Sequence, residues 1–240
     1  MQHTSVQDLF REQIKHYSKK EQALDSQIIP QVLKWLKSKK VSKKIDICEF
    51  GGGAGQLLNE IRKSYPKANY INVEIVPDYK NYLPSKDITF VTGTVLNSGF
   101  PDNSFDILIM RDVIHHLVGN SYQETVNNQK LALQELRRLA KPGGVIFIEE
   151  LTNGWIVISL LIYLLTKLNS YIGLRSSVFS INPNTIVLFL THSGLVRLCE
   201  IIFKKKNILK KDFMKPKMKI GGKMAHFGSP IIKVFLLIRK

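Results

Sequence analysis

Asp46-Ile-Cys-Glu-Phe-Gly-Gly-Gly-Ala-Gly55 is the stretch that decides the fold of this chain. An apolar, β-prone run (Ile45, Ile47, Cys48, Phe50) closes on Glu49 and the glycines Gly51, Gly52, Gly53 and Gly55, and a helix-like segment, Gln56 to Lys63, follows at once. Strand, glycine turn and helix N-terminus make the first crossover of a doubly wound nucleotide-binding sheet. The glycines let the backbone turn sharply and approach a ligand without an intervening Cβ. The N–H groups opening the next helix favour a carboxylate or phosphate. A dinucleotide fingerprint, G-x-G-x-x-G, needs glycine or alanine at position 56, and Gln56 does not fit.

Outward from the loop, strands and helices alternate. Strands are expected at 70–74, ending in Glu74, at 88–91, at 105–110 and at 145–148, the last running into Glu149 and Glu150. A long helix over 123–139 stops at Lys141-Pro142-Gly143-Gly144, a breaker and turn. Before the first strand, residues 6–20 and 24–39 read as helices. After residue 150 the expectation is a helix near 184–192, a strand at 195–203 and a strand at 231–238, the last two forming a hairpin interrupted by a lysine-rich insertion, 204–228. The fold class is therefore α/β: a doubly wound, seven-stranded Rossmann-like sheet, mostly parallel with an antiparallel last strand, helices on both faces.

An acid two residues before G-x-G-x-G resembles the cofactor loop of class I S-adenosylmethionine (SAM) methyltransferases, and four further segments match that family in order. They are Glu74, Phe100-Pro-Asp-Asn-Ser-Phe-Asp-Ile-Leu-Ile109, Arg111-Asp-Val-Ile-His-His-Leu117 and Leu133-Gln-Glu-Leu-Arg-Arg-Leu-Ala-Lys-Pro-Gly-Gly144. The resemblance covers about residues 45–150. It implies SAM as cofactor, held by Glu49, Gly51, Gly52, Gly53, Gly55, Glu74, Ile75, Thr94, Val95 and Arg111, with Glu74 on the ribose hydroxyls. The family usually has an acid at the adenine contact after the third strand. Gly93-Thr94-Val95 stands there instead, and a threonine hydroxyl accepts a hydrogen bond more weakly than a carboxylate. His115 and His116, just past the fourth strand, are candidates for a general base toward a hydroxyl; packing or capping is the other reading of the pair. Asp102 and Asp106 read as turn formers. No metal site is expected.

The chain has 240 residues and a formal charge of +16. Residues 201–240 hold twelve basic side chains against one acid, so most of the excess lies there. A patch of that kind attracts an anionic partner, a membrane surface or, as the alternative, RNA. Trp155 to Leu165 is apolar nearly throughout, too short to span a bilayer, and suits a core helix, a lid over an oily substrate or an interfacial insert. Cys48 and Cys199 read as reduced, buried thiols, and with no secretory signal apparent the expected location is the cytoplasm, peripheral at the inner membrane face. The expected organisation is one methyltransferase domain: helical cap 1–44, cofactor core 45–150, apolar insertion or lid 151–183, and a sheet-completing part, 184–240. Acceptor specificity is expected in the cap and the lid. The function expected is methyl transfer to a small, lipophilic acceptor, oxygen first, with an RNA methyltransferase or an inactive SAM-binding scaffold as alternatives.

Overall fold

The computed structural model describes residues 2–14, 25–38, 44–176, 182–216 and 227–240. Two helices, α1 (Gln2–Glu12) and α2 (Ile28–Ser38), precede the sheet. Then come β1 (Asp46–Phe50), α3 (Gln56–Ser64), β2 (Asn69–Glu74), β3 (Ile88–Thr92), β4 (Phe105–Arg111), α4 (Tyr122–Leu139), β5 (Ala140–Asn153), α5 (Ile156–Ile172), α6 (His192–Phe203), β6 (Ile208–Met214) and β7 (Ile231–Arg239).

The strand order is β3-β2-β1-β4-β5-β7-β6. Strands β1 to β5 pair in parallel, and β7 runs against both its neighbours. The central strands are buried on both faces, because alternate side chains point to opposite helical layers. Cys48, Phe50, Leu108, Met110, Ile146 and Ile148 pack with α4 and α6 residues such as Leu136 and Cys199. Ile47, Ile107, Ile109, Val145 and Phe147 pack on the other face with Val32 of α2 and Leu58 of α3. The order reverses between β1 and β4, and such sheets bind ligands outside the carboxyl ends of the strands at that switch point.

Four expectations need correction. Residues 195–203 are helical, not a strand: Thr191 caps the helix by accepting the Gly194 N–H at 3.0 Å, and Leu195, Cys199, Ile202 and Phe203 line one buried face. The helix expected near 184–192 is extended chain over 185–190, with Ile186, Val187, Leu188 and Phe189 buried. The lysine-rich insertion is shorter than 204–228, because 208–214 forms β6, whose side chains alternate between half-buried and exposed. Likewise Lys141–Gly144 does not separate helix from strand. It lies inside β5, where Gly143 has φ +77° and the register against β4 shifts between Phe105 and Ile107. Of the helix expected over 6–20, the end beyond residue 14 lies outside the described residues, as do residues 24 and 39 of the second helix.

Candidate active site

The glycine loop is held from below. Gly51 and Gly53 have φ +70° and +53°, where side chains are strained. The Gly51 N–H donates to the Val73 carbonyl at 2.8 Å, and the Gly55 N–H to Gly52 at 2.8 Å. A Cβ on Gly51 would lie 2.4 Å from Val113 Cγ2; one on Gly52 would lie 2.1 Å from Asn72 Oδ1 and 2.8 Å from Glu49 Oε2. Backbone therefore passes where no side chain fits.

Glu74, expected on the ribose hydroxyls, stands at the end of β2 beside the glycine loop. Its carboxylate accepts the N–H groups of Gly53 at 2.9 Å, Ile75 at 2.7 Å and Val76 at 3.1 Å, so it fastens the glycine loop to the end of β2. Burial raises its pKa, and those three amides pull the other way. Beside it Asn72 Nδ2 donates to the Gly53 carbonyl at 2.7 Å, while Asn72 Oδ1 and Glu49 Oε2 are buried with no hydrogen-bond partner among the described residues. Burial pushes the Glu49 carboxyl up to about 7, with the charge of Arg111 opposing the rise. Thr94 Oγ1 accepts the Leu96 N–H at 3.3 Å within its own turn, and Val95 is buried.

On the far side of the switch point, Asp112 sits at φ +53°, and its N–H donates to the Glu149 carbonyl at 2.8 Å. Lys233 Nζ, from β7, donates to Asp112 Oδ2 at 2.8 Å and to Glu149 Oε1 at 3.3 Å. Glu149 Oε2 also accepts Ser26 Oγ–H at 3.1 Å and the Gln27 N–H at 2.9 Å, tying the start of α2 to the sheet. The adjacent Glu150 points the other way. Its Oε2 accepts the Val113 and Ile114 amides at 3.1 and 2.8 Å, and its Oε1 accepts the Leu151 N–H at 3.1 Å and pairs with His115 Nδ1. Successive strand residues point to opposite sides, so of the two acids Glu150 joins the histidines.

His115 is stacked on Phe189, ring centroids 4.9 Å apart, and lies 4.2 Å from the His116 ring. His116 Nδ1 is buried without a partner, and its pKa lies well below 6.5, first because of burial and then because of the neighbouring His115. Phe10 of α1 meets His116 edge-on at 5.1 Å. That helix also accepts the Tyr79 hydroxyl at the Phe10 carbonyl (3.2 Å), donates from Arg11 to Asp78 (3.2 Å), and accepts Arg175 and Asn182 at Glu12 (3.0 and 3.1 Å). Helix α1 thus crosses the carboxyl ends of the strands from the β2 side to the segment after α5.

The structure brings together Glu49, Asn72, Glu74 and the glycines on one side and His115, His116, Glu150 and Asp112 on the other. Asn72, Lys233 and Phe189 were not singled out in the sequence. A buried asparagine within a strand was a signal for the first, since Asn is depleted there. Lys233 and Phe189 carried none, because each reaches the site from an element distant in sequence.

A ligand with cationic and hydrogen-bonding groups fits this cradle. Two buried acceptor oxygens lack donors, the backbone excludes any Cβ, and α3 starts at Gly55 without a side-chain cap. Fold and cradle together define a class I, SAM-dependent methyltransferase. Residues 48–148 match the family described as "Methyltransferase domain", and the chain carries a domain of that family, an enzyme with SAM as its cofactor. No curated protein matches the sequence.

Solved structures agree on the fold. A SAM-dependent methyltransferase from Methanosarcina mazei superposes with TM-score 0.61 at 14% identity, covering 85% of this chain and 96% of that one. An arsenic(III) SAM methyltransferase from Chlamydomonas reinhardtii gives 0.55 at 15%, covering 82% and 64%. The [4+2]-cyclase SpnF gives 0.57 at 11%, covering 88% and 80%. A fold that serves a cyclase as well as methyltransferases does not by itself name the reaction; the family match over 48–148 does that.

Proposed function

We propose that this chain transfers a methyl group to a hydroxyl oxygen of a small, lipophilic acceptor bound between the glycine loop and α5, under α1. The observation that carries the reading is the buried His115–Glu150 pair at the ends of β4 and β5. Glu150, fixed by three backbone amides, takes the His115 Nδ1–H and so leaves Nε2 as the proton acceptor, the arrangement by which a carboxylate orients an imidazole base. His116 stays neutral beside it, since its depressed pKa keeps a second proton off near neutral pH.

Glu49, Gly51, Gly52, Gly53, Gly55, Glu74, Ile75, Thr94, Val95 and Arg111 would hold the cofactor. SAM, when bound, supplies a methyl group already activated on a sulfonium. The protein has then to align the acceptor, keep water out and take up the hydroxyl proton. His115 takes that proton; Phe10, Phe189 and α1 exclude water. The side chains against the two imidazoles, Phe10 and Phe189, are apolar, which favours a lipophilic acceptor over a sugar or a nucleotide.

The test is methyl transfer from labelled SAM to paired long-chain and short-chain phenols, alcohols and amines. Transfer to the lipophilic hydroxyl, lost in His115→Gln and Glu150→Ala while SAM binding is kept, is the expected result. Label appearing only in RNA, or no transfer despite SAM binding, replaces this reading with the nucleic-acid enzyme or the scaffold respectively.

A further inference from the structure

Helix α5 is amphipathic in an unusual sense: its outer side is apolar and bare. Ile162 and Tyr163 are buried, Ile162 against Val187 and Phe189, Tyr163 against Ile186 and Leu188. On the other side Val157, Leu161, Leu164, Leu168 and Tyr171 recur at spacings of three and four residues and stand exposed, Val157 by 70% and Tyr171 by 80%. Trp155, Leu165, Ile172 and Leu174 widen the patch at its ends and flank, each more than two-fifths exposed. Continuous exposed patches of that extent mark a docking surface rather than an ordinary surface. Between Trp155 and Leu174 the sequence has one charged residue, Lys167, and no acid.

The charge around the patch says what covers it. Lys167 is the cation on α5, and Arg175, just beyond it, is paired with Glu12 of α1. The chain leaves β6 at Met214 and returns at Phe227 after a stretch that contains Lys215, Lys217, Lys219 and Lys223 and no acid. It comes back beside the start of α5, where Trp155 N–H donates to Ser229 Oγ at 3.2 Å and Gly154 N–H to the Pro230 carbonyl at 2.7 Å. A second copy of this chain would bring Lys167 and its own counterpart together with no acid on either helix, because a twofold interface pairs a patch with itself. An anionic bilayer instead complements them. Among the described residues no helix is long and apolar enough to cross a membrane, and the bare residues run the full length of α5, so the helix suits lying flat in the interface. Trp155 and Tyr171 near its two ends are the residue types that sit at headgroup level.

We propose that the outer face of α5 docks on an anionic lipid bilayer, and that the acceptor reaches His115 from that bilayer past the inner face of the same helix. Phe189 links α5 to His115: it packs on Ile162 and stacks on the imidazole. The second half of the proposal rests on the acceptor site assigned above; the docking half does not.

Flotation of the full chain with vesicles of equimolar phosphatidylcholine and phosphatidylglycerol, against vesicles of phosphatidylcholine alone, tests it. The chain should float with the anionic vesicles, less so as salt is raised, and a Val157→Gln/Leu164→Gln/Leu168→Gln variant should partition at least tenfold more weakly (a factor of ten is about 1.4 kcal/mol). That variant changes only exposed positions, so its circular dichroism and SAM affinity should match the parent. Absence of flotation overturns the docking surface, as does flotation that the triple variant retains. A dimer in sedimentation velocity that the triple variant dissociates assigns the face to a second copy and overturns it too. Transfer to a lipophilic acceptor in detergent without vesicle binding refutes the docking alone. Vesicle binding with transfer only to water-soluble acceptors refutes the acceptor reading and leaves the docking surface standing.

Discussion

Replacing Glu49 by Gln should stabilise the protein without cofactor and weaken its hold on the cofactor. The carboxyl is 2% exposed and lacks a hydrogen-bond donor at Oε2. Burial moves it from its ordinary 4.5 to about 7. At ~1.4 kcal/mol for each tenfold change in proton affinity, keeping it ionised costs about 3 kcal/mol. The sign follows from linkage: the folded state holds this proton more tightly than the unfolded chain, so stability falls as pH rises from 4.5 through about 7. Glu49→Gln removes that loss. At about pH 8 the variant should melt roughly 6–12 °C above the parent, given ~2–4 °C per kcal/mol for a chain of this size, and the gap should close toward about pH 4.5.

SAM brings positive charge that the ionised carboxylate answers. The parent should therefore bind it about tenfold more weakly for each pH unit below 7, and release a proton on binding near pH 6, whereas the variant binds weakly and without that slope. Thermal melts across pH and calorimetry in two buffers of different ionisation enthalpy read both effects. A variant less stable than the parent at about pH 8, or a parent affinity flat from about pH 5 to 8, refutes the reasoning.

Gly52→Ala places a Cβ 2.1 Å from Asn72 Oδ1; SAM affinity should drop at least a hundredfold by calorimetry, while urea unfolding shows a loss of about 1–3 kcal/mol from overpacking. Lys233→Met leaves Glu149, fully buried, and Asp112 without their cation; unfolding free energy should fall by about 3 kcal/mol, and adding Glu149→Gln should restore much of it. His116→Phe addresses the acid limb. Because the folded imidazole refuses a proton that the unfolded one takes at 6.5, parental stability falls as pH drops below 6.5, and the variant's urea midpoint between about pH 7 and 5 should lose that fall.

The first 150 residues were legible because their signals are local. A glycine loop and the acid ending the next strand are each set by a few neighbouring residues, and the strands they bound are continuous apolar runs. The stretch from Leu195 to Phe203 failed for a nameable reason. Seven apolar residues in nine mimic a buried strand, and the discriminating facts were the Thr191 cap with Gly194 and the exposure of Ile201, 68%, opposite Cys199. Strand β6 was hidden for the converse reason. An edge strand tolerates lysines on its open side, so Ile-Leu-Lys-Lys-Asp-Phe-Met looked like a solvated loop.

At the site, the groups that sequence could name are those whose neighbours in the chain also form the cradle. Glu74 acts on Gly53, Ile75 and Val76, and two of those three are the residues next to it. The pairings that sequence could not supply join residues far apart: Glu150 with His115, Lys233 with Asp112, Phe189 with His115, Phe10 with His116. Each crosses from the cofactor half of the sheet to an element that comes before or after it in the chain. The division has a functional meaning. Cofactor contacts are local and recur wherever the loop recurs, whereas the acceptor side is assembled from α1, the 185–190 segment and β7. These are elements on which the family match over 48–148 is silent. On the proposed function, acceptor identity has to be sought in α1, in α5 and in the chain that returns at Ser229, and changes there should alter what is methylated while SAM affinity, assigned by the same proposal to Glu49 and the glycines, stays as it was.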